Sequence, residues 1–263
     1  MSEAPVAKLA AAVEALVRGQ AVAMPPPRGL PYLGLEHASG TGFHLLDALT
    51  AHGIFRKYER VLDVGTGLGA SARWLAARLG CEVLGTAADA AEAAAAAELT
   101  RRAGLAGQVR LLPAAPHALP VRERHFTHVW MIETLPRCRD PAAVLAETLR
   151  ALRPGGTFAL QDLVRAERAE PPPLPGWRPA TTGERVSALR KAGFVEIVVH
   201  DRTSEAAERS PRVVAVRAEL ARRLDREAKR DPRLARLVAD RAALARAVAD
   251  GALRVVQIVG RRA

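Results

Sequence analysis

The sequence predicts an α/β fold: a doubly wound, seven-stranded, mostly parallel sheet with helices on both faces. Three observations point to it. Val61-Leu62-Asp63-Val64 reads as a short buried strand, passes into a turn containing Gly65, Gly67 and Gly69, and continues as a helix from Ala72 to Leu79. Strand, glycine turn and helix in that order open a βαβ unit. Short apolar runs then alternate with helical patterns as far as about residue 200. A chain of 263 residues, 49% of them hydrophobic, has the material for one large domain, or for one domain with an insertion.

The elements follow in order. Residues 2–18 pattern as an amphipathic helix capped by Ser2, with Val6, Leu9, Val13, Leu16 and Val17 as its apolar stripe and Gly19 as its stop. Pro25, Pro26, Pro27 and Pro31 force an irregular segment, which ends in the polar loop Glu36–Gly42. A helix follows, with Phe43, Leu45, Leu46 and Leu49 inward. The strands expected next are 60–64, 82–86, 109–112, the run Phe126–Ile132, 157–162 and 194–200, with Leu253–Val259 last. Helices are expected from the glycine turn to Leu79, over 89–103, from Asp140-Pro141 to Leu152, and over 183–192. Two more are opened by Ser210-Pro211, with Val213, Val216, Leu220 and Leu224 inward, and by Asp231-Pro232, with Leu234, Leu237, Val238, Leu244 and Val248 inward. The expected organisation is an N-terminal helical cap (1–54), a core (55–204), a helical insertion (205–251) and a final core strand (252–263).

Composition excludes several classes. No apolar run approaches the ~18 residues of a membrane span. The start lacks a basic stretch followed by an apolar signal core, so the expected location is the cytoplasm. Cys81 and Cys138 have neither metal-ligand spacing nor a disulfide framework, and no metal site is expected. The net charge of +11 invites a nucleic-acid reading, but residues 202–263 alone hold sixteen Arg and Lys against eight Asp and Glu. Aromatic residues are only 4%, so platforms for stacking bases are scarce. A solvated basic helix face fits better than a nucleic-acid partner, and a homodimer through the helical insertion stays open.

The glycine turn has a specific form. An acid, Asp63, stands two residues before the first glycine of Gly65-Thr66-Gly67-Leu68-Gly69, a pattern that is neither GxGxxG nor a P-loop. It resembles the first motif of the class I S-adenosylmethionine (SAM)-dependent methyltransferases. Leu149-Arg150-Ala151-Leu152-Arg153-Pro154-Gly155-Gly156 resembles that family's turn into the fifth strand, and Glu133 its acid after the fourth. The resemblance covers about residues 35–200. It implies SAM as cofactor and methyl transfer to a small-molecule acceptor. It implies cofactor contacts at Asp63, Gly65, Thr66, Gly67, Gly69, Thr86, Ala87, Ala88, Ala115, Ile132 and Glu133. A Ser-Gly loop, here Ser39 to Gly42, occurs at this position in similar enzymes, as do helices inserted before the last strand.

Two departures stand out. The second strand should end on an acid for the ribose hydroxyls, and Ala87 aligns there. The next acid, Asp89, competes between that role and capping the following helix in a box with Glu92. After the third strand an acid should meet adenine, and Pro113-Ala114-Ala115-Pro116 has none. A catalytically degenerate relative, serving as a partner subunit or binding another ligand, is therefore the alternative. If the acceptor must lose a proton, the candidate bases are Glu133, His37, His44 and Tyr32. The Pro-rich segment Arg165–Thr181, with Trp177, is placed where a substrate lid or a plain surface loop would lie.

Overall fold

The structure, a computed structural model, describes residues 5–21, 32–37, 42–51, 59–170, 174, 176–207 and 209–263. Seven strands form one sheet in the order β3-β2-β1-β4-β5-β7-β6. They are β1 (Arg60–Asp63), β2 (Glu82–Ala87), β3 (Val109–Pro113), β4 (Phe126–Ile132), β5 (Leu152–Arg165), β6 (Phe194–Asp201) and β7 (Leu253–Arg262). β1 to β5 run parallel, and β7 pairs antiparallel with both β5 and β6. The fold is the seven-stranded, mostly parallel α/β architecture expected.

The α-helices are α1 (Pro5–Ala21), α2 (Leu46–Thr50), α3 (Ala70–Leu79), α4 (Ala90–Arg102), α5 (Pro141–Ala151), α6 (Thr182–Ala192), α7 (Pro211–Ala228) and α8 (Pro232–Ala249). Successive residues of the central strands are buried on opposite faces, as a sheet covered on both sides requires. Leu62, Val129, Met131 and Leu160 pack with Val144 and Leu145 of α5 and Leu189 of α6. Val61, Val83, Trp130 and Ile132 pack with Leu46 and Leu49 of α2 and Trp74 and Leu75 of α3.

A third apolar cluster lies outside the sheet. It joins Leu9, Val13 and Leu16 of α1, Leu99 of α4, Val213, Val216, Leu220 and Leu224 of α7, and Leu234 of α8. Leu68, in the glycine turn, belongs to it, so this helical layer sits over the first βα junction. The inward faces read for α7 and α8 are thus spent inside this chain. Among the described residues no helix is long and apolar enough to cross a membrane.

Three local expectations are corrected. α1 continues through Gly19 to Ala21 rather than stopping at the glycine. β2 runs one residue further, placing Ala87 inside the strand. β5 begins at Leu152, because the Pro154-Gly155-Gly156 stretch is taken up by a register shift: Phe126 pairs with Leu152, but His128 pairs with Thr157. The proline segment 22–31, Ser2 and the loop residues 38–41 lie outside the described residues.

Candidate functional site

The glycine turn is built from its neighbours' hydrogen bonds. Val64 N–H donates to Trp130 O at 2.9 Å, and Thr66 N–H to Thr86 O at 2.8 Å. Thr86 Oγ1 accepts from Gly65 N–H at 3.0 Å, and Thr134 Oγ1 donates to Val64 O at 2.8 Å. The chain between β1 and α3 is thereby clamped to β2 on one side and to the end of β4 on the other. Gly65 and Gly67 both hold positive φ, +73° and +57°, where a glycine costs little.

Below the turn, Asp63 is fully buried. Its Oδ2 accepts from Thr66 Oγ1 at 2.7 Å and from Ser71 Oγ at 2.6 Å, while Oδ1 has no partner among the described residues. Burial pushes the Asp63 carboxyl up to about 6, against the pull of the two hydroxyls.

A groove of about 500 Å³ opens above this turn. Its floor is Gly65 and Gly67. One wall is Ala87, Ala88 and Ala114, at the ends of β2 and β3; the other begins at Glu133 and Thr134. The groove thus lies outside the carboxyl ends of the strands, near where the sheet order reverses at β1. At its inner end a pocket of about 70 Å³ is closed by Leu9 of α1 and Leu237 of α8, with Glu36, His37 and Ile132 around it.

Glu133 and Glu92 are the carboxylates shared by groove and pocket, and Glu133 stands just past the end of β4. Its backbone has φ +56°, strained for a non-glycine residue, and its N–H donates to Gln161 O at 2.7 Å. The bend turns the chain out of β4 into a 3-10 turn, Leu135–Arg137, which adds Arg137 and Cys138 to the rim. Arg178 N–H donates to Pro136 O at 2.6 Å, so the segment after residue 176 lies against that rim; the Arg137 guanidinium is 6.0 Å from the Trp177 ring.

The histidines separate clearly. His37 lines the inner pocket, and burial beside Arg241, Arg217 and Arg137 lowers its ring to about 3. It is therefore neutral at ordinary pH and a weak proton acceptor. Arg241 holds this short stretch by donating to His37 O at 2.6 Å and Leu35 O at 3.1 Å. A second clamp is buried: Arg73 of α3 pairs with Glu36 at 2.9 Å and donates to Thr100 Oγ1 at 3.1 Å. His44 is bonded instead to Glu205 O at 2.8 Å, and Tyr32 donates to Leu99 O at 2.9 Å; neither lines the groove.

The other positions expected at the cofactor divide likewise. Gly65, Gly67, Ala87, Ala88 and Glu133 line the groove, and Thr66 and Ile132 the pocket. Thr86 and Asp63 act from beneath, on the turn itself. Gly69 caps α3, and its missing Cβ makes room for the Arg73 guanidinium, which would lie 2.7 Å away. Ala115 is exposed, and its neighbour Ala114 forms the wall. Asp89 is the N-cap of α4, accepting from Glu92 N–H at 2.8 Å. Sequence reading missed Thr134 and Arg137. Thr134 directly follows the strand-four acid and Arg137 lies four residues after it, and that proximity was the available signal.

An adenosyl cofactor fits these residues on three counts. The floor presents bare backbone, the walls are small side chains, and a buried carboxylate oxygen lies unpartnered beneath the turn.

A family model described as a methyltransferase domain matches residues 62–160, and one described as the N-terminal part of anamorsin matches 135–230. A sarcosine/dimethylglycine N-methyltransferase of Halorhodospira halochloris is 32% identical over 170 residues, 62% of this chain and 60% of that protein. Among solved structures, the cyclase SpnF has TM-score 0.71 at 24% identity, covering 83% of this chain and 80% of that one. A geranyl diphosphate methyltransferase in complex with SAM has TM-score 0.64 at 22% identity, covering 84% and 85%. Both structural likenesses are of fold. The chain matches less than two thirds of the length of its curated relatives, from 38% to 60% for three of them.

Proposed function

We propose that this chain, which belongs to the class I SAM-dependent methyltransferases, transfers a methyl group from that cofactor to a small organic acceptor. The observation that carries the reading is the open groove running from Ala114 across bare glycine backbone to the buried Glu133. A degenerate relative has no need of that cradle, nor of the unpartnered Asp63 oxygen kept beneath it.

When bound, the cofactor supplies an electrophilic methyl on a sulfonium, so transfer is a direct displacement that rests on alignment. Gly65, Gly67, Ala87, Ala88 and Ala114 would hold it. Leu9 and Leu237 cover the inner end and keep water from the reacting atoms. Glu133 is placed to orient a cationic amine or to accept a proton from a hydroxyl acceptor. His37 stays unprotonated and shapes the pocket. In this reading residues 1–54 and 205–251 form the acceptor-side cover, and 55–204 with 252–263 the cofactor core. The proposed setting is the cytoplasm, with no nucleic-acid partner.

Calorimetric titration with SAM and S-adenosylhomocysteine tests the reading. The expected result is one site of micromolar affinity, followed by S-adenosylhomocysteine release against a panel of small amines and hydroxyl compounds. No heat at high micromolar ligand overturns it.

A further inference from the structure

β2 ends at Ala87 and Ala88 follows it; neither side chain accepts a hydrogen bond, yet a carboxylate returns to the same space from the next element. Glu92 is the third residue of α4. Its Oε2 accepts from Ala88 N–H at 2.8 Å, and its Oε1 lies 3.7 Å from where a Cβ on Gly67 would stand. Glu92 lines both the groove and the inner pocket. A carboxylate offers about four acceptor positions, and the Ala88 amide uses one. Asp89 already caps α4, so the helix start has its own acceptor without Glu92.

We propose that Glu92 recognises the ribose of the bound adenosyl group, accepting from its vicinal hydroxyls in place of the acid missing at position 87. The proposal rests on the cofactor reading above. The acid has moved from the strand tip to the first turn of the next helix, and one carboxylate both tethers to Ala88 and faces the glycine turn.

The test compares binding of S-adenosylhomocysteine with its 2′,3′-dideoxy analogue, by calorimetry, in the wild type and in Glu92→Gln. Glutamine keeps the back-bond to Ala88 and the side-chain volume, so the unfolding midpoint stays where it was. The wild type is expected to favour the hydroxylated ligand by about tenfold or more, the size of charge-assisted hydrogen bonds. In Glu92→Gln the two affinities come within about twofold of each other. A preference that survives in Glu92→Gln overturns the proposal, as does a wild type that binds both ligands equally. A wild type that binds neither overturns the cofactor reading, and the proposal with it.

Discussion

Replacing Gly67 with alanine separates ligand binding from folding. Gly67 holds φ +57°, so any side chain there carries a left-handed penalty of about 1–2 kcal/mol. The added methyl meets nothing closer than Glu92 Oε1 at 3.7 Å, so no protein clash adds to that penalty. It does project over the groove floor, where overfilling a packed site costs about 1–3 kcal/mol. Gly67→Ala should therefore lower the unfolding free energy by about 1–2 kcal/mol, while S-adenosylhomocysteine binds roughly 5- to 150-fold more weakly. Gly65→Ala makes the contrast. There a Cβ would stand 2.6 Å from Thr134 Cγ2 and 2.7 Å from Oγ1, the hydroxyl that holds Val64 O. Backbone penalty and clash together make about 2–5 kcal/mol, so this variant is hurt in stability first. Urea unfolding gives the stabilities and calorimetry the affinities. A well-folded Gly67→Ala protein that binds as tightly as the wild type would show that Gly67 does not border the bound cofactor.

Three further outcomes follow from the same geometry. Arg73→Ala strands Glu36 as a buried charge and should cost about 3–5 kcal/mol in urea unfolding; a loss under 1 kcal/mol would show that the pair is not what anchors residues 32–37. Glu133→Gln should leave S-adenosylhomocysteine affinity within a few-fold yet cut turnover of a proton-losing acceptor by about 10²–10⁴, read from product release in single-turnover assays; unchanged turnover removes Glu133 as base. The Asp63 carboxyl titrates near 6 when folded, above its ordinary value, so the native state holds the proton to higher pH. Its contribution to stability is fully present below about pH 4 and is lost as pH rises through 6, by about 3 kcal/mol. The stability of the wild type relative to Asp63→Asn should therefore fall by about 3 kcal/mol between pH 4 and 7; Asp162, also pushed up to about 6 by burial, adds a like loss to both proteins, and His37 and His128, lowered by burial, oppose it in both.

Much of this was legible in the sequence because it was local. Periodicity marked Val213, Val216, Leu220 and Leu224 as one helix face, and Ser210-Pro211 fixed its start. The turn at Gly65 announced itself by composition. What escaped depended on partners far along the chain. Arg73 falls in a helix where a charge reads as surface, but it is buried through Glu36, 37 residues away. Gly19 reads as a stop, yet α1 continues past it. Ala87 was legible as a departure, whereas the direction of the Glu92 side chain was not: a capping pattern gives the residue's place on the helix and leaves open which groove its second oxygen faces. His37 and His44 look alike in sequence and are parted only by the fold, one in the pocket and one against Glu205.

Whether the groove over Gly65 and Gly67 seats the cofactor is decided by a crystal structure grown with S-adenosylhomocysteine. The ligand should lie along the glycine turn, its ribose beside Ala87 and Glu92 and its sulfur toward Glu133. A groove left empty at saturating ligand, or a ligand seated elsewhere on the protein, would mean that the glycine turn does not hold the cofactor.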